Sequence, residues 1–113
     1  MPELPEVETV RRSLGALAGQ KLAAVQVVDG KLRYKVPRDF GALAVGKKIE
    51  SIDRIGKYLS WQFADEVFVF HLGMTGRLLL NQKSDSPYLK LRFYFQRDTV
   101  DFIDVRRFGF VLS

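Results

Sequence analysis

No cysteine occurs in this 113-residue chain, and histidine occurs once, at His71. The first absence removes disulfides, thiolate-bound zinc and thiol nucleophiles together; the second leaves no clustered partners for a metal site built by the protein. No apolar run approaches the ~18 residues of a membrane span, and the acidic, proline-bearing N-terminus is unlike a signal or transit peptide. Internal repeats, low-complexity tracts and linkers are also lacking. These absences point to one intracellular, soluble domain held together by packing, with no metal or cofactor of its own.

What is present suits that reading. Hydrophobic residues make up 47% of the chain, including nine Phe, four Tyr and one Trp, enough for one core burying roughly 65% of the unfolded surface. Eighteen Lys and Arg against thirteen Asp and Glu give a net charge of +5 and a pI near 9.7, a balance suited to a polyanionic partner such as nucleic acid or anionic lipid.

Pro5, Glu6, Val7 and Glu8 are followed by Val10, Leu14 and Leu17 at helical spacing, so an amphipathic helix is expected up to Gly19. Beyond it the pattern changes to short strand-like runs: 21–28, 48–55, 58–63, 67–72, 77–80, 89–95 and 100–105, with 110–113 still strand-like at the end. Asp65-Glu66 and Gln96-Arg97-Asp98 read as tight turns and 81–86 as a surface loop; 39–45 reads as a short second helix capped by Asp39. The expected fold is α+β but mainly β: an antiparallel sandwich or flattened barrel of about six to eight strands flanked by two helices.

Removal of Met1 would leave the secondary amine of Pro2 at the chain start, with Glu3 and Glu6 close behind. A terminal proline can attack a sugar carbon to form an iminium while a neighbouring carboxyl moves protons. Glu6 could position that amine or simply favour the helix N-terminus. In Gly56-Lys57-Tyr58 the lysine can meet a phosphate or serve as an ordinary turn residue. His71 leads into Leu72-Gly73-Met74-Thr75-Gly76, where a methionine between two glycines suits an exposed wedge. Arg106-Arg107-Phe108-Gly109 repeats the logic, with guanidinium groups for phosphate or a base edge and an aromatic for stacking. Each of these also has a plainer reading as solvated surface or core.

In order and spacing, four segments resemble the N-terminal catalytic domain of formamidopyrimidine-DNA glycosylase, a bacterial enzyme that excises oxidised purines such as 8-oxoguanine. They are Met1-Pro2-Glu3-Leu4-Pro5-Glu6-Val7-Glu8-Thr9-Val10-Arg11-Arg12, Gly56-Lys57-Tyr58-Leu59, the His71 to Gly76 run and Asp104-Val105-Arg106-Arg107-Phe108-Gly109. The resemblance implies Pro2 as Schiff-base nucleophile, Glu3 as proton donor, and Lys57 in elimination and phosphate binding. It implies Met74, Arg106 and Phe108 as the side chains filling the space left by an extruded nucleotide, with Arg106 facing the orphaned cytosine. His71 and Arg107 would lie near phosphates, whereas Ser86-Pro87-Tyr88 replaces a stretch that carries histidines in many relatives.

The activity implied is that of a bifunctional DNA glycosylase and AP lyase acting as a monomer on damaged double-stranded DNA, away from membranes, in the bacterial cytoplasm at the nucleoid. The family's helix-two-turn-helix and zinc-finger domains are expected to be absent from residues 1–113, the finger's zinc with them, making a C-terminal DNA-binding domain the missing partner. Two alternatives are a non-catalytic DNA-binding remnant of the same fold and a basic protein-interaction domain.

Overall fold

The computed structural model describes residues 4–113, with side chains from residue 5 onward; Pro2 and Glu3, the expected nucleophile and proton donor, lie outside the described residues. Helix α1 spans Leu4–Ser13 and is followed by strands β1 (Leu22–Val27), β2 (Ser51–Ile55), β3 (Tyr58–Gln62) and β4 (Val67–His71). Then come β5 (Arg77–Leu80), β6 (Leu89–Phe95), β7 (Thr99–Ile103) and β8 (Phe110–Leu112). The strands form two four-stranded antiparallel sheets, ordered β1-β6-β7-β5 and β2-β3-β4-β8. The expected mainly β architecture is therefore found, as two sheets.

Aromatic residues carry the packing between the sheets. Trp61 on β3 meets Phe70 of its own sheet at 4.6 Å between ring centroids and Phe93 of the opposite sheet at 4.8 Å. Phe70 in turn faces Phe102 on β7 at 5.9 Å. All four are fully buried, and each such pair adds roughly 0.5–1.5 kcal/mol beyond area burial. Edge strand β1 alternates from Ala24 onward, past a shift of register after buried Leu22, with Ala24 and Gln26 exposed and Val25 and Val27 partly buried; central β7 is buried at every position.

A buried charge accompanies that central strand. The carboxylate of Asp101 accepts from Arg92 Nε at 2.7 Å and Nη2 at 3.1 Å, and from the Ser84 N–H at 2.7 Å. This bidentate bond raises the Arg92 pKa above the ordinary arginine value and pins the 81–86 loop over the outer face of the sheet.

Two helical expectations need correction. The α-helix ends at Ser13 instead of running to Gly19; a 3-10 turn, Gly15–Leu17, takes over. Gly15 loses more backbone entropy in a helix than other residues, and the tighter turn seats both Leu14 and Leu17 in the core. At 39–45 the helix shrinks to a 3-10 turn, Ala42–Ala44, and its capping position is Gly41, at φ 82, with no side-chain cap. Glycine tolerates that left-handed backbone where Asp39 cannot substitute from two residues away. The turns at 65–66 and 96–98 form as expected, closed by Phe63 N–H to Glu66 O at 2.8 Å and Phe95 N–H to Asp98 O at 2.8 Å.

Candidate nucleic-acid interface

Among the described residues, those singled out in the sequence gather at one end of the β2-β3-β4-β8 sheet. Strand pairing sets Tyr58 opposite His71 and His71 opposite Phe110, so the Gly56-Lys57 turn, the start of the 72–76 loop and the end of the 104–109 loop meet at one sheet edge. Gly56 turns the chain with φ 60, a conformation that favours glycine, and presents half-buried Lys57 next to Tyr58.

His71 lies parallel to Phe110, with centroids 5.4 Å apart at an interplanar angle of 12°, and Tyr58 meets it edge-on at 5.1 Å. Burial lowers its pKa from 6.5, and the charges of Arg33 and Lys57 add to that; at neutral pH the ring is uncharged. Because Nδ1 accepts the Gly73 N–H at 3.1 Å, the ring proton sits on Nε2, leaving a neutral N–H donor at the sheet edge.

The two loops beyond His71 touch backbone to backbone. A Cβ on Gly73, which has φ +59, would lie 2.6 Å from Gly109 N and 2.7 Å from Phe108 C. One on Gly109 would meet Asp104 Oδ2 and the His71 carbonyl oxygen, both at 2.8 Å. Glycine at both positions is the steric condition for the approach.

Asp104, fully buried, organises what projects from there. Its Oδ1 accepts from Thr75 Oγ1 at 2.7 Å and from the Arg107 N–H at 3.2 Å, and its Oδ2 accepts the Gly109 N–H at 2.9 Å. Thr75 Oγ1 in turn accepts the Arg106 N–H at 3.0 Å. Held this way, Arg107 adopts φ 60, a left-handed conformation that costs a non-glycine residue about 1–2 kcal/mol.

Met74 and Phe108 are left 52% and 48% exposed, and the Arg106 guanidinium lies 5.9 Å over the Phe108 ring. Exposed apolar side chains beside arginines on a tightly braced rim make a surface able to wedge and stack while neutralising phosphate.

Glu6 approaches from the helix side. With Val10, Leu72, Gly76, Arg77, Leu78 and Leu79 it lines a cavity of about 160 Å³ between α1 and β5, so the first turn of α1 borders the base of the Met74 loop. Of the expected set, Glu6, Lys57, His71, Met74, Arg106, Arg107 and Phe108 therefore converge on this end of the molecule.

Sequence reasoning missed four contributors. Arg33 donates its backbone N–H to the Gly109 carbonyl at 3.0 Å, while Tyr34 packs edge-on against Phe110 at 5.2 Å, bringing another cation to the rim. The interleaving of Lys31, Arg33 and Lys35 with Tyr34 was the available signal. Thr75 and Asp104 were in view inside the motifs, but their role depends on a contact across 29 residues. Among the described residues no group of three or more His, Cys, Asp or Glu is arranged to hold a metal, and no helix is long and apolar enough to cross a membrane.

Comparison with known proteins gives a consistent neighbourhood. Residues 1–111 match the family model described as the formamidopyrimidine-DNA glycosylase N-terminal domain. The formamidopyrimidine-DNA glycosylase of Geotalea daltonii is 40% identical over 99% of this chain and 43% of its own length. That of Polynucleobacter necessarius is 37% identical, over 99% and 41% respectively. Among solved structures, Lactococcus lactis Fpg in complex with DNA containing an abasic site superposes with a TM-score of 0.85 at 31% identity, covering 99% of this chain and 44% of that one. The same enzyme with DNA containing Fapy-dG gives 0.84 at 32% identity, covering 96% and 43%. The chain thus spans about two fifths of the length of these relatives.

Proposed function

Because the chain belongs to the formamidopyrimidine-DNA glycosylase N-terminal domain family, we propose that it is the catalytic portion of a DNA glycosylase with AP lyase activity, acting on oxidised purines such as 8-oxoguanine and formamidopyrimidines in duplex DNA. The observation that carries this reading is the braced rim on which Met74, Arg106 and Phe108 stand exposed together beside His71 and the Lys57 turn. A base stacked in a duplex hides its C1′ carbon and must be flipped out at a cost of roughly a few kcal/mol. Side chains that fill the vacated space offset part of that cost.

In the proposed reaction Met1 is removed and the Pro2 amine attacks C1′ of the flipped nucleotide. The N-glycosidic bond breaks, the base departs with a proton, and Glu3 protonates the ring oxygen so that the sugar opens to a Pro2–C1′ iminium. Loss of a C2′ proton then expels the 3′ phosphate, and water releases the enzyme from C1′. Glu6 holds the amine in place, Lys57 meets the phosphate flanking the lesion, and His71 and Arg107 contact neighbouring phosphates. Arg106 occupies the space opposite the orphaned cytosine while Phe108 enters the stack. The iminium formed at C1′ by the Pro2 amine accepts the electron pair released in the elimination, so the proposal assigns no cofactor to this chain. It acts as a monomer in the bacterial cytoplasm, at the nucleoid.

Borohydride trapping tests this. The chain is incubated separately with an 8-oxoguanine duplex and an abasic duplex, alongside a form that retains Met1. A trapped adduct on both duplexes, lost when Met1 is retained, is the expected result. An adduct on the abasic duplex alone reduces the activity to a lyase without base recognition. No adduct on either favours the non-catalytic remnant.

A further inference from the structure

The exposed wedge residues come from two loops far apart in sequence, yet they must enter a duplex as one body, since a partial insertion unstacks bases without filling the gap. The loops' backbones meet at Gly73 and Gly109, but a van der Waals contact permits sliding. The Thr75 hydroxyl is different. It donates to Asp104 Oδ1 at 2.7 Å and accepts the Arg106 N–H at 3.0 Å, so one oxygen on the Met74 loop engages both the buried carboxylate and the backbone of the residue beside the wedge. Hydrogen bonds are directional, and this pair fixes where Arg106 leaves the loop relative to Met74.

We propose that Thr75 is a positioning residue that fuses the 72–76 and 104–109 loops into a single insertion element, so that Met74 and Phe108 act on DNA as a coupled unit. This rests on the functional reading above. Asp104 is the anchor: two of the three donors to its carboxylate, the Arg107 and Gly109 N–H groups, lie on its own loop, and Thr75 supplies the hydroxyl that crosses between loops. Removing that hydroxyl leaves the Asp104 bonds to the Arg107 and Gly109 N–H groups in place, so the Arg-Phe loop keeps its shape and loses its register with Met74.

The test is a double-mutant cycle read as affinity for a duplex carrying an abasic site, using the full chain. Met74→Ala, Phe108→Ala and the double variant are measured in three backgrounds: native, Thr75→Val, which keeps the volume without the hydroxyl, and Thr75→Ser, which keeps the hydroxyl. Residues in contact depart from additivity by between roughly twofold and a hundredfold, and a departure of about fivefold is the one sought here. We expect that departure in the native and Thr75→Ser backgrounds and its reduction to within about twofold in Thr75→Val. Fluorescence of 2-aminopurine placed beside the abasic site reports insertion, and its gain on binding should fall in Thr75→Val and return in Thr75→Ser.

Coupling that persists undiminished in Thr75→Val overturns the proposal while leaving the functional reading intact. A native chain that shows no preference for the abasic duplex overturns both. Should Thr75→Val fail to fold, Thr75→Ala carries the same comparison against Thr75→Ser; amide hydrogen exchange at Arg106, expected to quicken when the hydroxyl is lost, provides a readout free of DNA, and unchanged exchange counts against the proposal.

Discussion

Arg54 bonds Glu8 across 46 residues, its Nε donating to Glu8 Oε1 at 2.9 Å, while its Nη1 donates to the Gly56 carbonyl at 3.1 Å. One guanidinium therefore ties helix α1 to the turn that presents Lys57. Glu8 also accepts from Arg11 and Arg12, so a single carboxylate serves three arginines at the junction between the helix that leads from residues 1–3 and the sheet that carries the rim.

That junction is acid-sensitive. Bonding to Arg11, then Arg54, lowers the Glu8 pKa from 4.5 to about 2, so its contribution is complete above the unfolded value and disappears as pH falls from about 4.5 towards 2. Melting temperature measured across that window should drop less steeply in Glu8→Gln than in the native chain. Equal slopes would show that the arginine cluster does not stabilise the fold.

Phe108→Ala should leave stability nearly unchanged, since the ring is 48% exposed, yet weaken binding to an abasic duplex by about 1–3 kcal/mol, the range of base–aromatic stacking. Thermal melting and DNA titration on the same sample separate the two. A large loss of stability would place Phe108 in the core instead of the interface.

Gly73→Ala should destabilise the rim by about 1–3 kcal/mol, because alanine at φ +59 is strained and its Cβ would sit 2.6 Å from Gly109 N. Urea unfolding measures the total, and crystallography of the variant should find the 104–109 loop displaced. Wild-type stability would mean that the loops separate without cost.

Phe93→Ala should cost about 3–5 kcal/mol, for the ring is fully buried and contacts Trp61, Phe68 and Phe70. Since the residue faces the inter-sheet core, DNA affinity per folded molecule should be unaffected. A loss below about 1 kcal/mol would show that the sheets repack around the gap.

Binding to duplex DNA should fall steeply with salt, with a slope that becomes shallower by about 1 for each phosphate-contacting cation removed. Arg33→Ala and Arg107→Ala are the informative variants, the first because no motif pointed to it. An unchanged slope in Arg33→Ala would remove that residue from the interface.

Strands were legible because alternation and β-branched or aromatic content are local properties: 77–80 and 89–95 coincide with β5 and β6, and the others differ by a few residues at their ends. Helix limits were less so. The stop at Ser13 and the Gly41 cap depend on how Leu14, Leu17 and Ala44 reach a core supplied by distant strands. Most of the candidate site was visible as motifs, whereas Arg33 was not, since its place is set by the Gly109 carbonyl on another loop.

Residue types and their spacing set the kinds of chemistry available: an amine at the start if Met1 is removed, candidate wedge residues beside glycines, an excess of cations, and no thiol. Which of these act together depends on the folded arrangement, because Glu8 with Arg54 and Thr75 with Asp104 are separated by 46 and 29 residues. Hydrogen bonds of about 3 Å cannot be inferred from chain spacing when sheet register, and not sequence distance, brings donor and acceptor into line.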